Sequence, residues 1–149
     1  MLIGTHIIVG SVAGLALDNP LGALFLGLIS HLLLDTIPHF DTVDDNIFTK
    51  RQITIVAAEL IVAILLIYSL VWRHTGLTAP IILGSIGGFL PDCLDNVPVL
   101  KDYFRRTKFG ALFHYWHERW HRKQKVISIA ILTQSFIAAL FLYLGYLVK

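Results

Sequence analysis

A group of imidazole and carboxylate side chains stands at the end of an apolar segment early in the chain. His31 and Asp35 are followed by Pro38, His39 and Asp41. On a helix, His31 and Asp35 share a face with their Cβ atoms within about 6 Å, and Pro38 disfavours helix at the residue before it. Imidazole and carboxylate groups together suit a divalent metal ion. We therefore expect His31 and Asp35 to be ligands, and His39 and Asp41 to be supporting groups, further ligands or turn residues.

A second histidine-rich stretch lies late in the chain and contains His114, His117, Glu118 and His121. Its last five residues, 117–121, read as HExxH, a pattern in which two imidazoles bind one Zn²⁺ and the glutamate acts as general base. The three histidines also form one stripe on a helix, so His114 can support the other two. Arg119 departs from the uncharged surroundings that are usual for this motif in zinc proteases.

The same stretch can also be an amphipathic helix at a membrane surface. Trp116 and Trp120 suit headgroup depth. Basic residues that can meet anionic lipid follow: Arg119, Arg122, Lys123 and Lys125. The two interpretations are compatible, because an interfacial helix can turn its histidine stripe toward the ends of membrane spans.

The composition predicts an integral membrane protein, since 56% of the 149 residues are hydrophobic and only 15% are charged. Two stretches have full spanning length, Gln52–Trp72 and Val126–Val148. Three others, Leu2–Leu17, Leu21–Ile37 and Ala79–Leu94, are near the lower limit. We expect residues 1–149 to form one all-α membrane domain, a polytopic bundle of about five spans, three of them short. A cytoplasmic amphipathic helix joins spans four and five.

Basic residues fall mainly on one side of this bundle. Arg73 and Lys149 lie on the other side. Ten of the 12 Lys and Arg residues share the first side: Lys50, Arg51, Lys101, Arg105, Arg106, Lys108, Arg119, Arg122, Lys123 and Lys125. By the positive-inside rule that side is cytoplasmic. We expect a bacterial-type inner membrane protein whose N-terminus is cytoplasmic.

Six of the seven histidines fall on that same side, together with Asp92 and Asp95. The membrane orientation was derived from Lys and Arg alone, so the grouping of the histidines on one side is an independent observation. We expect one or two divalent ions, with Zn²⁺ favoured and Mn²⁺ or Fe²⁺ also suited. The expected ligands are His6, His31, Asp35, Asp92, His117 and His121. His31 and Asp35 should therefore lie within metal-bridging distance of the late histidines.

Residues 26–35 and 83–92 align with matching Leu, Gly, Ile, Leu and Asp at equal spacing. This faint repeat predicts that spans two and four are counterparts, with Asp35 and Asp92 facing each other. Small residues would then let the helices approach closely: Gly84, Gly87 and Gly88. Chance similarity between two apolar stretches is the alternative.

Several of these motifs together resemble the bacterial membrane-bound metal-dependent hydrolases: Thr5-His6, His31xxxAsp35, residues 90–95 and the late HxxxH. The family has a PDxDH-like signature, whereas residues 91–96 read PDCLDN, with one extra residue between the aspartates and Asn in place of His. More distantly, the HxxxD and HxxxH pairs resemble the zinc-dependent phospholipase C group, which is all-helical and has clustered metals.

We expect a hydrolase that acts at the cytoplasmic membrane surface on a phosphate ester of a lipid or lipid-linked substrate. The metal would activate water, and Glu118 or Asp95 would take the proton. Cationic side chains ahead of the histidine stripe would hold an anionic head group: Arg105, Arg106 and Lys108. Membrane lipid is thus an expected partner, and nucleic acid is not.

Two alternatives remain open. A membrane zinc metalloprotease would use His117, Glu118 and His121, with Asp35 or Asp92 as a third ligand. A metal-binding or metal-transport protein would need ligands near the bilayer midplane, where the sequence offers only Glu59.

Overall fold

The computed structural model describes residues 3–39, 49–74, 76–122, 124 and 126–148. Within these residues the secondary structure is helical, which confirms the all-α prediction. Seven helices follow one another: α1 (Ile3–Ala16), α2 (Pro20–Asp35), α3 (Lys50–His74), α4 (Ala79–Asn96), α5 (Pro98–Phe104), α6 (Lys108–Trp120) and α7 (Ile127–Leu147).

Among the described helices, α3 and α7 are the two that are long and apolar enough to cross a membrane. They correspond to the two predicted full-length spans. Many of their large apolar side chains face outward, including Ile61, Leu65 and Leu132, which are 58%, 61% and 70% exposed. Apolar faces of this extent mark a surface that contacts a membrane or another protein. The helices α1 and α2, with 14 and 16 residues, are shorter. Of the five predicted spans, two therefore have the length and composition needed to cross a membrane.

Helix α1 is the axis of the bundle. Ten of its 14 residues are buried, as expected of a helix that is apolar on every side. It packs against α2, α3, α4 and α7. Ile8 lies in a core cluster with Ala63 and Ile67 of α3 and Ile81 of α4. The start of α1, which carries His6, is therefore surrounded by other helices.

Helix α4 fits closely against α1 and α2 because glycines face its partners. A Cβ atom at Gly84 would overlap the carbonyl of Gly10, and one at Gly88 would overlap the carbonyl of His6. On the other side, Gly87 meets the carbonyl of Leu24 in the same way. The predicted close contact through small residues is confirmed, and it draws together the parts of α1 and α2 that carry His6 and His31 and the end of α4 that carries Asp92.

The ends of α2 follow from its sequence. The Asn19 side chain accepts hydrogen bonds from the backbone N–H groups of Leu21 (3.0 Å) and Gly22 (3.3 Å), and Pro20 occupies the first helical position. The helix ends at Asp35, ahead of Pro38. His31 and Asp35 therefore stand in its last turn, on one face.

Helix α6 ends just before the last residue of the HExxH pattern. It begins after Thr107, whose hydroxyl accepts from the N–H of Gly110 at 2.9 Å, and its last residue is Trp120. His121 is the cap, with extended backbone angles. The N–H of His121 still donates to the carbonyl of His117 (3.0 Å), so the two histidines lie one turn apart at the end of α6.

We predict that Gly84→Ala destabilises the protein by about 1–3 kcal/mol, because its methyl group must displace the α1 backbone. Gly22→Ala is the matched control, since the nearest atoms lie 3.6–3.7 Å from its added Cβ. Thermal unfolding in detergent should show a lower midpoint for Gly84→Ala alone. Equal midpoints for the two variants would contradict the close packing of α4.

Candidate metal centre

The carboxylate of Asp35 lies among four imidazole rings. Its Oδ2 atom is 3.0 Å from Nε2 of His31 and 3.0 Å from Nε2 of His117. Its Oδ1 atom is 3.2 Å from Nε2 of His6 and 3.9 Å from Nε2 of His39. Asp35 itself is 1% exposed. Residues separated by more than 80 positions in the chain thus meet at one buried carboxylate.

The inner part of this cluster lies between α1, α2, α4 and α6. Nε2 of His31 is 3.4 Å from Nε2 of His117 and 3.7 Å from Oδ1 of Asp92. The His6 and His31 rings stack with centroids 4.0 Å apart. His6 is fully buried, and its Nδ1 atom has no hydrogen-bond partner among the described residues.

The outer part of the cluster is formed by the connectors that follow α2 and α6. Nε2 of His39 lies 2.9 Å from Nε2 of His121. The two connectors are joined by backbone hydrogen bonds, from His39 N–H to the carbonyl of Arg122 (3.0 Å) and from Gln124 N–H to the carbonyl of His39 (2.7 Å). A third runs from Arg122 N–H to the carbonyl of Asp35 (3.1 Å).

In His31, His39 and His117, the Nδ1 atom is hydrogen-bonded away from the cluster, so Nε2 faces the cluster. Nδ1 of His31 donates to the carbonyl of Gly88 (2.7 Å), and Nδ1 of His39 donates to the carbonyl of Ile37 (2.7 Å). A carbonyl oxygen can only accept, so each Nδ1 carries the proton and each neutral ring has its lone pair on Nε2. His117 Nδ1 likewise contacts the Asp95 carboxylate at 2.9 Å. Metal-binding histidines are held in this way.

If every ring were neutral, lone pairs of nitrogen and oxygen would point at one another inside a buried site. Such groups are unfavourable without a proton or a cation between them. Burial alone would lower the pKa of His117, but its contacts with Asp35 and Asp95 outweigh burial and raise that pKa to about 10. The surroundings of His117 thus favour positive charge at the centre.

The spacing of the candidate ligand atoms suits a divalent ion. With metal–nitrogen bonds of about 2.0–2.1 Å, ligand atoms lie about 3.3–3.4 Å apart in tetrahedral coordination and about 2.9 Å apart at right angles. The observed nitrogen separations are 3.4 Å for His31 and His117 and 2.9 Å for His39 and His121. Three sets of side chains could each hold an ion: His6 with His31 and Asp92; His31 with Asp35 and His117; Asp35 with His39 and His121.

Asp95, proposed above as a proton acceptor, lies directly behind His117. It is 1% exposed. Its Oδ2 atom contacts Nδ1 of His117 (2.9 Å) and Nδ1 of His114 (3.0 Å), and its Oδ1 atom accepts from Arg105 Nε (2.8 Å). These contacts orient His117. The sequence did not indicate that Asp95 contacts His117. It also did not indicate that Arg105, predicted to bind a head group, forms an ion pair with Asp95.

Asn96 also has an unexpected contact, because its side-chain amide donates to Oδ1 of Asp92 at 3.1 Å. The two residues are four positions apart on α4, the spacing at which helical side chains meet. That spacing was visible in the sequence. Asn96 stands where the resembled family has a histidine, and here it holds a candidate ligand.

Other candidate residues lie outside the cluster. Glu118 is exposed although its neighbour His117 is buried. Arg106 and Lys108 are exposed, and the Arg106 guanidinium lies 6.0 Å from the Tyr103 ring centroid. Their catalytic and substrate-binding roles stay predictions. Asp41 lies outside the described residues.

The described residues thus contain buried His and Asp groups that could hold a metal ion. No protein-family model, curated protein or solved structure matches this chain. The resemblance to membrane-bound hydrolases therefore rests on the motif residues alone.

We predict that Asp95→Asn weakens metal binding about 10–100-fold, the usual effect of losing the group that orients a ligand histidine. Asp102→Asn is the control, because Asp102 is an exposed aspartate of α5. Titration of metal-free protein with Zn²⁺ measures both dissociation constants. Unchanged affinity in Asp95→Asn would show that Asp95 does not position His117.

We predict a pH-dependent stability in metal-free protein. The pKa of His117 is raised from 6.5 to about 10, so its stabilising contribution is complete below pH 6.5 and is lost as the pH rises to about 10. The midpoint of thermal unfolding should fall more across this range in the wild type than in His117→Gln. Parallel pH profiles would contradict a protonated His117 in the metal-free state.

Proposed function

We propose that this protein is a metal-dependent hydrolase of the bacterial-type inner membrane. Its site opens at the cytoplasmic surface and acts on a phosphate ester of a lipid or lipid-linked substrate. The observation that carries the proposal is the set of Nε2 atoms with fixed orientation around the buried Asp35 carboxylate. The resemblance of the motifs to membrane-bound metal-dependent hydrolases supports the reaction class.

In this proposal α1, α2, α3, α4 and α7 are the five spans, and α5 and α6 lie at the cytoplasmic surface. The outward apolar faces of α3 and α7 and the basic residues near the cluster support this placement. Helix α6 adds an exposed aromatic and apolar face suited to the headgroup region: Phe109, Leu112, Trp116 and Trp120.

The ligands of the proposed metal, with Zn²⁺ favoured, are His6, His31, Asp35, Asp92, His117 and His121. Divalent ions in such sites polarise phosphoryl oxygens and make water more acidic. Asp95 keeps the His117 ring in place. His114 contacts Asp95 and is 30% exposed, so the Asp95–His114 pair offers a route by which a proton leaves the buried cluster. Arg106 and Lys108 are exposed cations that can attract an anionic head group.

The protease alternative has less support from the geometry. A zinc protease needs the glutamate of HExxH beside the metal, and here Glu118 is exposed. His117 contacts Asp35 and Asp95, whereas His121 contacts His39 beyond the end of the helix. The two motif histidines therefore belong to different parts of the cluster.

Phosphate release tests the proposal. Purified full-length protein in detergent should release phosphate or a phosphorylated head group from long-chain phosphatidate, phospholipid or polyprenyl phosphate. Chelation should abolish the activity, and added Zn²⁺ or Mn²⁺ should restore it. His31→Ala and Asp35→Ala should each lower the rate at least about 100-fold, because each removes a ligand that is needed to activate water.

Glu118→Gln and His74→Ala are the comparison variants. Glu118→Gln should retain phosphoesterase activity, whereas a protease would lose peptide cleavage and keep its metal. His74 belongs to α3, which contributes no member to the described ligand groups, so His74→Ala should be fully active. Unchanged activity in His31→Ala and Asp35→Ala, or no hydrolysis of any of these lipids, would refute the proposal.

A further inference from the structure

The ligand cluster has two parts that meet at Asp35. The inner histidines His31 and His117 contact Oδ2, and the outer residue His39 lies nearer to Oδ1. We infer that two divalent cation sites share the Asp35 carboxylate. His31, His117 and Asp92 form the inner site, with His6 beside them, and His39 and His121 form the outer site.

The structure makes His39 a specific candidate ligand. The sequence leaves it open whether His39, which follows Pro38 after the helix has ended, is a ligand, a supporting group or a turn residue. In the structure its side chain is fully buried, with Nδ1 bound to the Ile37 carbonyl and Nε2 2.9 Å from Nε2 of His121. A buried ring held on one side, with its lone pair aimed at another imidazole and a carboxylate, has the arrangement of a metal ligand.

The two sites are built differently. The inner ligands stand on four helices, of which α1, α2 and α4 pack through glycine contacts. The outer histidines stand on connectors, which are joined by three backbone hydrogen bonds between residues 35–39 and 122–124. Removal of an outer histidine should therefore leave the helices and the inner ligands in place.

Charge balance favours an anionic ligand at the paired sites. The described carboxylates in and beside the cluster are those of Asp35, Asp92 and Asp95, and the Asp95 carboxylate also pairs with Arg105. Two divalent ions carry more charge than these groups neutralise. The remaining positive charge suits a phosphoryl group, which two neighbouring ions can clamp between them.

This inference depends on the metal centre of the proposed function and does not depend on hydrolysis. It is tested by loading metal-free, full-length protein in detergent with Mn²⁺ alone. After gel filtration, elemental analysis should find two Mn²⁺ per chain. Electron paramagnetic resonance should show a coupled pair, because two ions bridged by one carboxylate lie about 3.5–4 Å apart.

His39→Ala and His121→Ala should each retain one Mn²⁺ per chain and give the six-line spectrum of an isolated ion. Retention of that ion shows that the variant has folded. His74→Ala should retain two ions, and Asp35→Ala should lose the coupled spectrum. A wild-type stoichiometry of one, or two coupled ions in His39→Ala, would overturn the inference.

The outcomes also separate the inference from the proposed function. Two coupled ions in a protein that hydrolyses no phosphate ester would support the paired sites and refute the hydrolase. Metal-dependent hydrolysis with a single ion per chain would support the hydrolase and refute the paired sites.

Discussion

A carboxylate buried as deeply as that of Asp35 must be compensated by positive charge or by hydrogen-bond donors. Imidazole nitrogens surround it, and in two of these rings, His31 and His39, the Nδ1–H group donates its hydrogen bond to a backbone carbonyl. Neutral rings held in this way cannot also donate to Asp35. A divalent cation would satisfy the carboxylate and the lone pairs together, and it would account for the orientation of the rings around the buried Asp35.

The precision of the site comes from helix packing. Gly88 meets the carbonyl of His6 on α1 and supplies the carbonyl that fixes His31 on α2. A single glycine of α4 therefore sets the relative position of candidate ligands from two other helices. Because backbone atoms make the contact between Gly88 and His6, side-chain rotamer freedom does not loosen it. A rigid scaffold of this kind keeps polar groups in a fixed geometry inside an otherwise apolar bundle.

Much of this arrangement follows from the sequence. The spacing of His31 and Asp35, the proline after them and the one-sided distribution of Lys and Arg predict which groups meet. The sequence could not show that α6 stops at Trp120, because HExxH is typical of a continuous helix. It also could not show that Asp95 contacts His117, since that contact depends on how α4 and α6 pack. Local patterns determine faces and ends of helices, whereas contacts between distant segments depend on tertiary packing.

A divalent metal bound by imidazole and carboxylate groups around Asp35 can be detected by X-ray absorption at the zinc edge of the purified, Zn²⁺-loaded protein. We expect nitrogen and oxygen ligands at about 2.0–2.2 Å, with outer-shell scattering from imidazole rings and without sulfur at about 2.3 Å. Protein that retains no zinc, or a spectrum dominated by a sulfur ligand such as the free thiol of Cys93, would contradict it.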